Sequence, residues 1–234
     1  MQKLLVITGG SKGIGYETAR LFQQQGHKII NISRSPLELP NVINLSCDIS
    51  QTDWLATSRQ ALLEAIAECS EIHLIHCAAA LYKDSVTDVS QDSLKEVMQI
   101  AVYAPAELNQ VLLPQMQSGS SIIYVGSTLS EKAVANSFSY VTSKHAVIGS
   151  MRATCQDLAG KNIHTACVCP GFTDTDMLRT HVGQSEEILT AIAEGVSFQR
   201  LLKPTEIAKT LYFCATNPAI NGSIIHANLG QIET

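Results

Sequence analysis

Seven short apolar runs alternate with longer amphipathic stretches along the chain, and this alternation narrows the fold more than any other feature. The runs lie at 4–8, 28–32, 42–46, 72–76, 121–125, 164–168 and 223–227. They are rich in Ile and Val, and several are apolar throughout, the pattern of strands buried on both faces. Helical patterns occupy 13–25, 53–68, 91–117, 138–159 and 205–215. Asn217-Pro218 ends the last of these, because proline has no amide to continue a helix. The alternation predicts one α/β domain: a doubly wound, Rossmann-like, seven-stranded parallel sheet with helices on both faces. A length of 234 residues suits a single domain of this class.

Composition excludes several function classes. With 45% hydrophobic and 16% charged residues the chain has material for a large core and too little charge for disorder. The net charge of -5 without a basic block argues against nucleic acid as a partner. No apolar run approaches the ~18 residues of a membrane span, and "MQKLLVITGG" lacks the features of a secretory leader. The seven cysteines form no C-x-x-C pair and no zinc spacing, so no metal is expected. Most sit in apolar runs, where a thiol behaves as a small hydrophobe; Cys167 and Cys169 in particular read as core. A reducing cytoplasm is the expected location.

The unusual residues follow the strands. Gly9 to Gly15 comes after the first run, His76-Cys77-Ala78-Ala79 ends the fourth, Gly126-Ser127 the fifth and Pro170-Gly171 the sixth. Doubly wound sheets bind ligands beyond the carboxyl ends of their strands, so these loops predict one site. Glycine is costly in a regular element. The spacing Gly9-x-x-x-Gly13-x-Gly15 suits a tight turn that brings backbone close to a pyrophosphate at a helix N-terminus. It is not a P-loop, because Gly15 is followed by Tyr16 rather than Lys-Ser/Thr.

Thr8-Gly9-x-x-x-Gly13-Ile14-Gly15 resembles the cofactor loop of the short-chain dehydrogenase/reductase family. Tyr140-Val141-Thr142-Ser143-Lys144 is similar to that family's Tyr-x-x-x-Lys, and Ser127 stands thirteen residues before the tyrosine, as in its members. Pro170-Gly171-Phe172-Thr173-Asp174-Thr175 resembles its Pro-Gly-x-x-x-Thr segment, especially in 3-oxoacyl-(acyl carrier protein) reductases. Asn221-Gly222-Ser223 and Asn228-Leu229-Gly230 are similar to its last strand.

The resemblance implies hydride transfer between a nicotinamide cofactor and a small carbonyl or alcohol substrate, with Ser127, Tyr140 and Lys144 as catalytic residues. The chemistry is consistent with those residue types. A tyrosine hydroxyl is ordinarily a weak acid with a pKa near ~10. Lys144, one helical turn away, is placed to stabilise its phenolate. Ser127 would orient the substrate oxygen. Thr8, Gly9, Ser11, Lys12, Gly13, Ile14, Gly15, Asp48, Ile49, Ala78 and Ala79 are implied cofactor contacts, with Tyr140, Lys144, Pro170, Gly171, Thr173 and Thr175 at the nicotinamide end. Asp48 reads equally as an N-cap for the following helix. An NAD-selective site usually carries an acidic residue near position 33. Ser33 and Arg34 stand there instead, so Lys12 and Arg34, helped by Ser33 and Ser35, are expected to clasp a 2′-phosphate and to favour NADP(H) over NAD(H).

Residues 173–202 are expected to cover the substrate pocket. Met177, Leu178, Ile188, Leu189 and Ile192 read as pocket wall or helix core, and His181 as solvent-exposed. The resemblance also implies a homodimer or homotetramer. It fails at two places: His76-Cys77-Ala78-Ala79 replaces Asn-Asn-Ala-Gly, and Ala101 stands where the family carries a helix asparagine that holds a water of the proton path. These departures leave open a second reading, a nucleotide-binding sensor of the same fold with lost or weak turnover.

Overall fold

The computed structural model describes residues 2–183 and 185–231. Seven strands, β1 (Gln2–Thr8), β2 (Lys28–Ser33), β3 (Val42–Ser46), β4 (Cys69–His76), β5 (Ser121–Val125), β6 (His164–Pro170) and β7 (Ile224–Ala227), form one sheet in the order β3-β2-β1-β4-β5-β6-β7. Every pairing is parallel. The expected doubly wound architecture is therefore present.

Side chains of a strand alternate between faces, and here both faces are buried. Leu4, Val6, Ile72, Leu74 and Tyr124 pack with Trp54 and Leu62 of α2 (Trp54–Ile66), Leu108 of α4 (Ala104–Leu112), and Val147 and Met151 of α5 (Phe138–Asp157). Leu5, Ile7, Ile75 and Ile123 pack on the opposite face with Phe22 of α1 (Gly13–Gln24) and Leu211 of α8 (Pro204–Thr216). A one-residue slip of such strands would exchange one apolar face for another, so apolar burial alone pins the register weakly. The polar strand residues resist a slip. Asn31 of β2 is buried with both ends of its amide bonded, and His73 of β4 bonds Ser121 across the sheet at 2.8 Å.

The single helix expected over 91–117 is instead four pieces. α3 (Gln91–Met98) runs into a π-helical turn at Gln99–Tyr103, then α4, then a 3-10 turn at Leu113–Gln115. Pro105 supplies the reason. It has no amide to donate to the Ala101 carbonyl one turn back, and its ring would crowd that carbonyl in a regular α-helix. The wider turn absorbs this, and the Ala104 amide donates to Gln99 O, five residues back.

Two further helices, α6 (Asp176–Val182) and α7 (Glu186–Glu194), lie in the segment expected to cover the pocket. Residue 184 of that segment lies outside the described residues. Its base is closed by the Leu202 amide donating to Phe172 O and the Asp174 amide donating to Leu202 O, both at 2.9 Å. No described helix is long and apolar enough to cross a membrane.

Candidate active site

The carboxyl ends of β1, β2, β4, β5 and β6 open onto one cleft of about 540 Å³. Every site residue expected from the sequence lines it except Thr8. Thr8 lies beneath the glycine loop, and its hydroxyl oxygen accepts the amides of Cys77 at 3.1 Å and Ala78 at 3.2 Å. It therefore ties the end of β1 to the end of β4.

At two positions the loop tolerates no side chain. At Gly9, φ is +70° and a Cβ would lie 2.8 Å from Ala78 Cα. At Gly15 a Cβ would meet the Gly9 carbonyl oxygen at 2.2 Å. The loop is packed on itself and on β4, and leaves α1 opening onto the cleft. This backbone cradle fits the pyrophosphate of a dinucleotide.

The structure adds a residue the sequence reading missed. Asn31 Oδ1 accepts the Gly10 amide at 3.0 Å, and Asn31 Nδ2 donates to Ser33 Oγ and to Asn44 Oδ1, each at 2.9 Å. One buried amide thus fixes the glycine loop to β2 and β3. Its only sequence signal is a polar residue inside an apolar run. Ser33 is correspondingly less available than expected: its hydroxyl proton goes to Ser35 O. Lys12 and Arg34 line the cleft, and neither side chain has a hydrogen-bond or ion-pair partner among the described residues. Asp48 lines the far end, its Oδ1 accepting the Ser50 amide at 3.0 Å. It is not the cap of α2, a position held by Asp53.

Ser127 follows β5 in a 3-10 turn (Thr128–Ser130). Its amide donates to Ser130 Oγ at 3.0 Å and its Oγ accepts the Leu129 amide at 3.1 Å, which leaves the hydroxyl proton free to turn toward the cleft. Tyr140 and Lys144 share one face of α5. Lys144 is buried, with Nζ donating to Val125 O at 2.8 Å and lying 5.5 Å from the centre of the Tyr140 ring. The start of α5 is held by Asp84, whose Oδ1 accepts the Ser139 amide at 3.0 Å and whose carbonyl accepts that of Phe138 at 3.1 Å. No local motif marks Asp84, because its partners are more than fifty residues away.

The two departures become structural features. His76 points into the face shared with α4 and α5, where Nε2 lies 2.9 Å from Asn109 Oδ1. Asn109 Nδ2 donates to the Tyr124 hydroxyl at 2.8 Å, and that oxygen lies 2.9 Å from Thr154 Oγ1. Burial pulls the His76 pKa down to about 4 against the opposing Asn109 bond, so the ring is neutral. Ala101 is buried inside the π-helical turn.

Pro170, the last residue of β6, pairs with Ala227, and Thr173 Oγ1 donates to Gly171 O at 3.0 Å. Thr175 caps α6 by accepting the Leu178 amide at 3.3 Å. Of the expected wall residues, Met177 and Leu178 line the cleft, Leu189 is buried core and Ile188 faces solvent. His181, expected to be exposed, is half-buried and lines the cleft. Burial first, and the charge of Lys83 second, lower its pKa. Among the described residues no group of three or more His, Cys, Asp or Glu side chains is disposed to hold a metal.

The family model described as enoyl-(acyl carrier protein) reductase matches residues 9–231. Carbonyl reductase family member 4 of Danio rerio is 27% identical over 236 residues, covering 96% of each chain. A short chain dehydrogenase family protein from Francisella tularensis superposes with a TM-score of 0.87 at 28% identity, over 99% of this chain and 98% of that one. A blue fluorescent protein from a metagenomic library, solved with NADPH, does so with a TM-score of 0.86 at 26% identity and the same coverage.

Proposed function

This chain belongs to the short-chain dehydrogenase/reductase family, and we propose that it is an NADP(H)-dependent reductase of a carbonyl/alcohol pair with Tyr140 as acid and base. The observation that carries this reading is that Ser127, Tyr140 and Lys144 line the same cleft as the glycine cradle. The Tyr140 hydroxyl has no hydrogen-bond partner among the described residues and so can serve a substrate oxygen. The Ser127 hydroxyl donates to that oxygen and fixes its direction. NADP(H), when bound, supplies or accepts the hydride. As the alkoxide forms, Tyr140 gives up its proton, and the buried ammonium of Lys144 stabilises the charge left on the phenol oxygen. Thr173 and Thr175, with the Pro170-Gly171 turn, are assigned to the nicotinamide end of the cleft.

The preference for NADP(H) rests on Lys12 and Arg34. Two cations without a protein anion beside them suit a 2′-phosphate, and charge-assisted bonds of about 1.5–3 kcal/mol each would favour NADPH by tens to hundreds-fold. The NADPH complex of a relative at 26% identity supports the same choice. We assign residues 173–202 as the substrate cover. The seven free cysteines agree with a reducing cytoplasm, and the family likeness with a homodimer or homotetramer.

The test combines binding with turnover. NADPH should bind more tightly than NADH, and Tyr140→Phe should lower kcat by about 10²–10⁴ while cofactor affinity barely moves. Tight NADPH binding without reduction of any carbonyl would instead support the sensor reading, which the buried Ala101 favours. A Tyr140→Phe protein that turns over at the parental rate would overturn the acid/base assignment.

A further inference from the structure

Beside the catalytic cleft lies a second recess of about 410 Å³, lined by Lys83, Asp84, Asp88, Ala135, Asn136 and His181. His181 lines both, so the two spaces adjoin. Their linings differ in kind. On the substrate side of Tyr140 the cleft walls are Leu81, Leu129, Val134, Met177 and Leu178. The recess has one apolar side chain, Ala135, among five polar ones.

The polar groups carry both signs. Lys83 is exposed and its ammonium has no hydrogen-bond or ion-pair partner among the described residues. The Ser85 hydroxyl and amide both donate to Asp88 Oδ1 and hold its carboxyl below the usual carboxylate range. Asp84 uses Oδ1 on the start of α5, and its buried Oδ2 has no hydrogen-bond partner among the described residues. The neutral His181 ring offers one donor and one acceptor, and the Asn136 amide offers both. An anionic end would meet two aspartates, a cationic end would meet Lys83, and an alkyl end would leave the buried Asp84 Oδ2 without a donor. A hydroxyl group both donates and accepts, and it satisfies this lining without a charge penalty.

We infer that the recess is a specificity site for the hydroxyl-bearing end of the carbonyl substrate, with Lys83 and Asn136 as its principal contacts. The substrate class is then a carbonyl compound with an apolar middle and a neutral, hydroxylated far end. This inference rests on the reductase reading of the adjoining cleft.

The test uses full-length, NADPH-loaded protein and a series of ω-hydroxy methyl ketones of increasing chain length, each against its parent methyl ketone. At one chain length the hydroxylated member should exceed its parent in kcat/KM by about tenfold, chiefly through KM, as one well-made polar contact provides. Lys83→Met keeps the side-chain length without the donor. Asn136→Gly removes the amide at a residue whose φ is +59°, a conformation glycine accepts. Each variant should lower the ratio severalfold, and the two together should bring it close to one. Structural damage would slow both members of a pair and leave their ratio alone. A ratio near one at every length, or one that neither variant changes, overturns the inference and leaves the reductase reading standing. No reduction of any ketone by protein that binds NADPH overturns that reading, and the inference with it.

Discussion

In the half of the cleft proposed for the cofactor, bonds between neighbouring strands hold the backbone. Thr8 of β1 takes the Cys77 and Ala78 amides, and Asn31 of β2 takes that of Gly10. In the half proposed for the substrate the walls come from separate excursions. Leu81 follows β4, Leu129 and Val134 follow β5, and Met177 and Leu178 come from α6. Val134 is 54% exposed and Met177 42%, so neither owes its position to close packing. The first half is a property of the sheet edge and has little freedom to vary. The second can change side chain by side chain without disturbing the sheet, as expected where a rigid scaffold carries variable loops.

The contrast can be broken most forcefully at Gly15. Gly15→Ala forces the loop to move, because no Cβ fits 2.2 Å from a carbonyl oxygen. NADPH affinity should fall about 100-fold, the loss of one or two charge-assisted bonds, and a fluorescence titration measures it. Unchanged affinity would mean that the cradle has more freedom than its packing indicates. A smaller effect is expected from Arg34→Met, a side chain without a protein partner. It should narrow the ratio of NADH to NADPH dissociation constants by about tenfold and leave kcat with saturating NADPH nearly unchanged. A ratio that stays put would remove Arg34 from the 2′-phosphate site.

Acid should separate the two halves least, because they share the sheet. His73 and His76 of β4 face opposite sides of it, and burial lowers each from 6.5 to about 4. His27 and His164 are lowered too, again mainly by burial. The folded state therefore refuses protons that the unfolded chain accepts. Stability is full above the unfolded value of 6.5 and falls with pH down to about 4, with a slope of about 1.4 kcal/mol per pH unit for each such histidine. Urea unfolding near pH ~7.5 and near pH ~5, read from the single tryptophan, Trp54, should show that loss, and a flat profile would contradict it.

The sequence alone determined the sheet, the two buried faces, the glycine loop and the Ser127-Tyr140-Lys144 set. Each is a local pattern: strand residues alternate by two, helix neighbours recur at four, and a tight turn needs glycine where it occurs. Only the tertiary structure decided what holds those parts in place and what adjoins them. Asn31 reaches a loop twenty-one residues back, Asp84 starts a helix fifty-five residues on, and His76 joins Asn109, Tyr124 and Thr154. The π-helical turn falls between: Pro105 is visible in the sequence, but its consequence at Ala101 depends on a helix packed well enough to widen rather than break. The recess beside His181 is decided last of all, by three excursions that meet only when the sheet brings their bases together. Hydrogen-bond partners so far apart leave no periodic trace, because chain folding, not spacing, makes them neighbours.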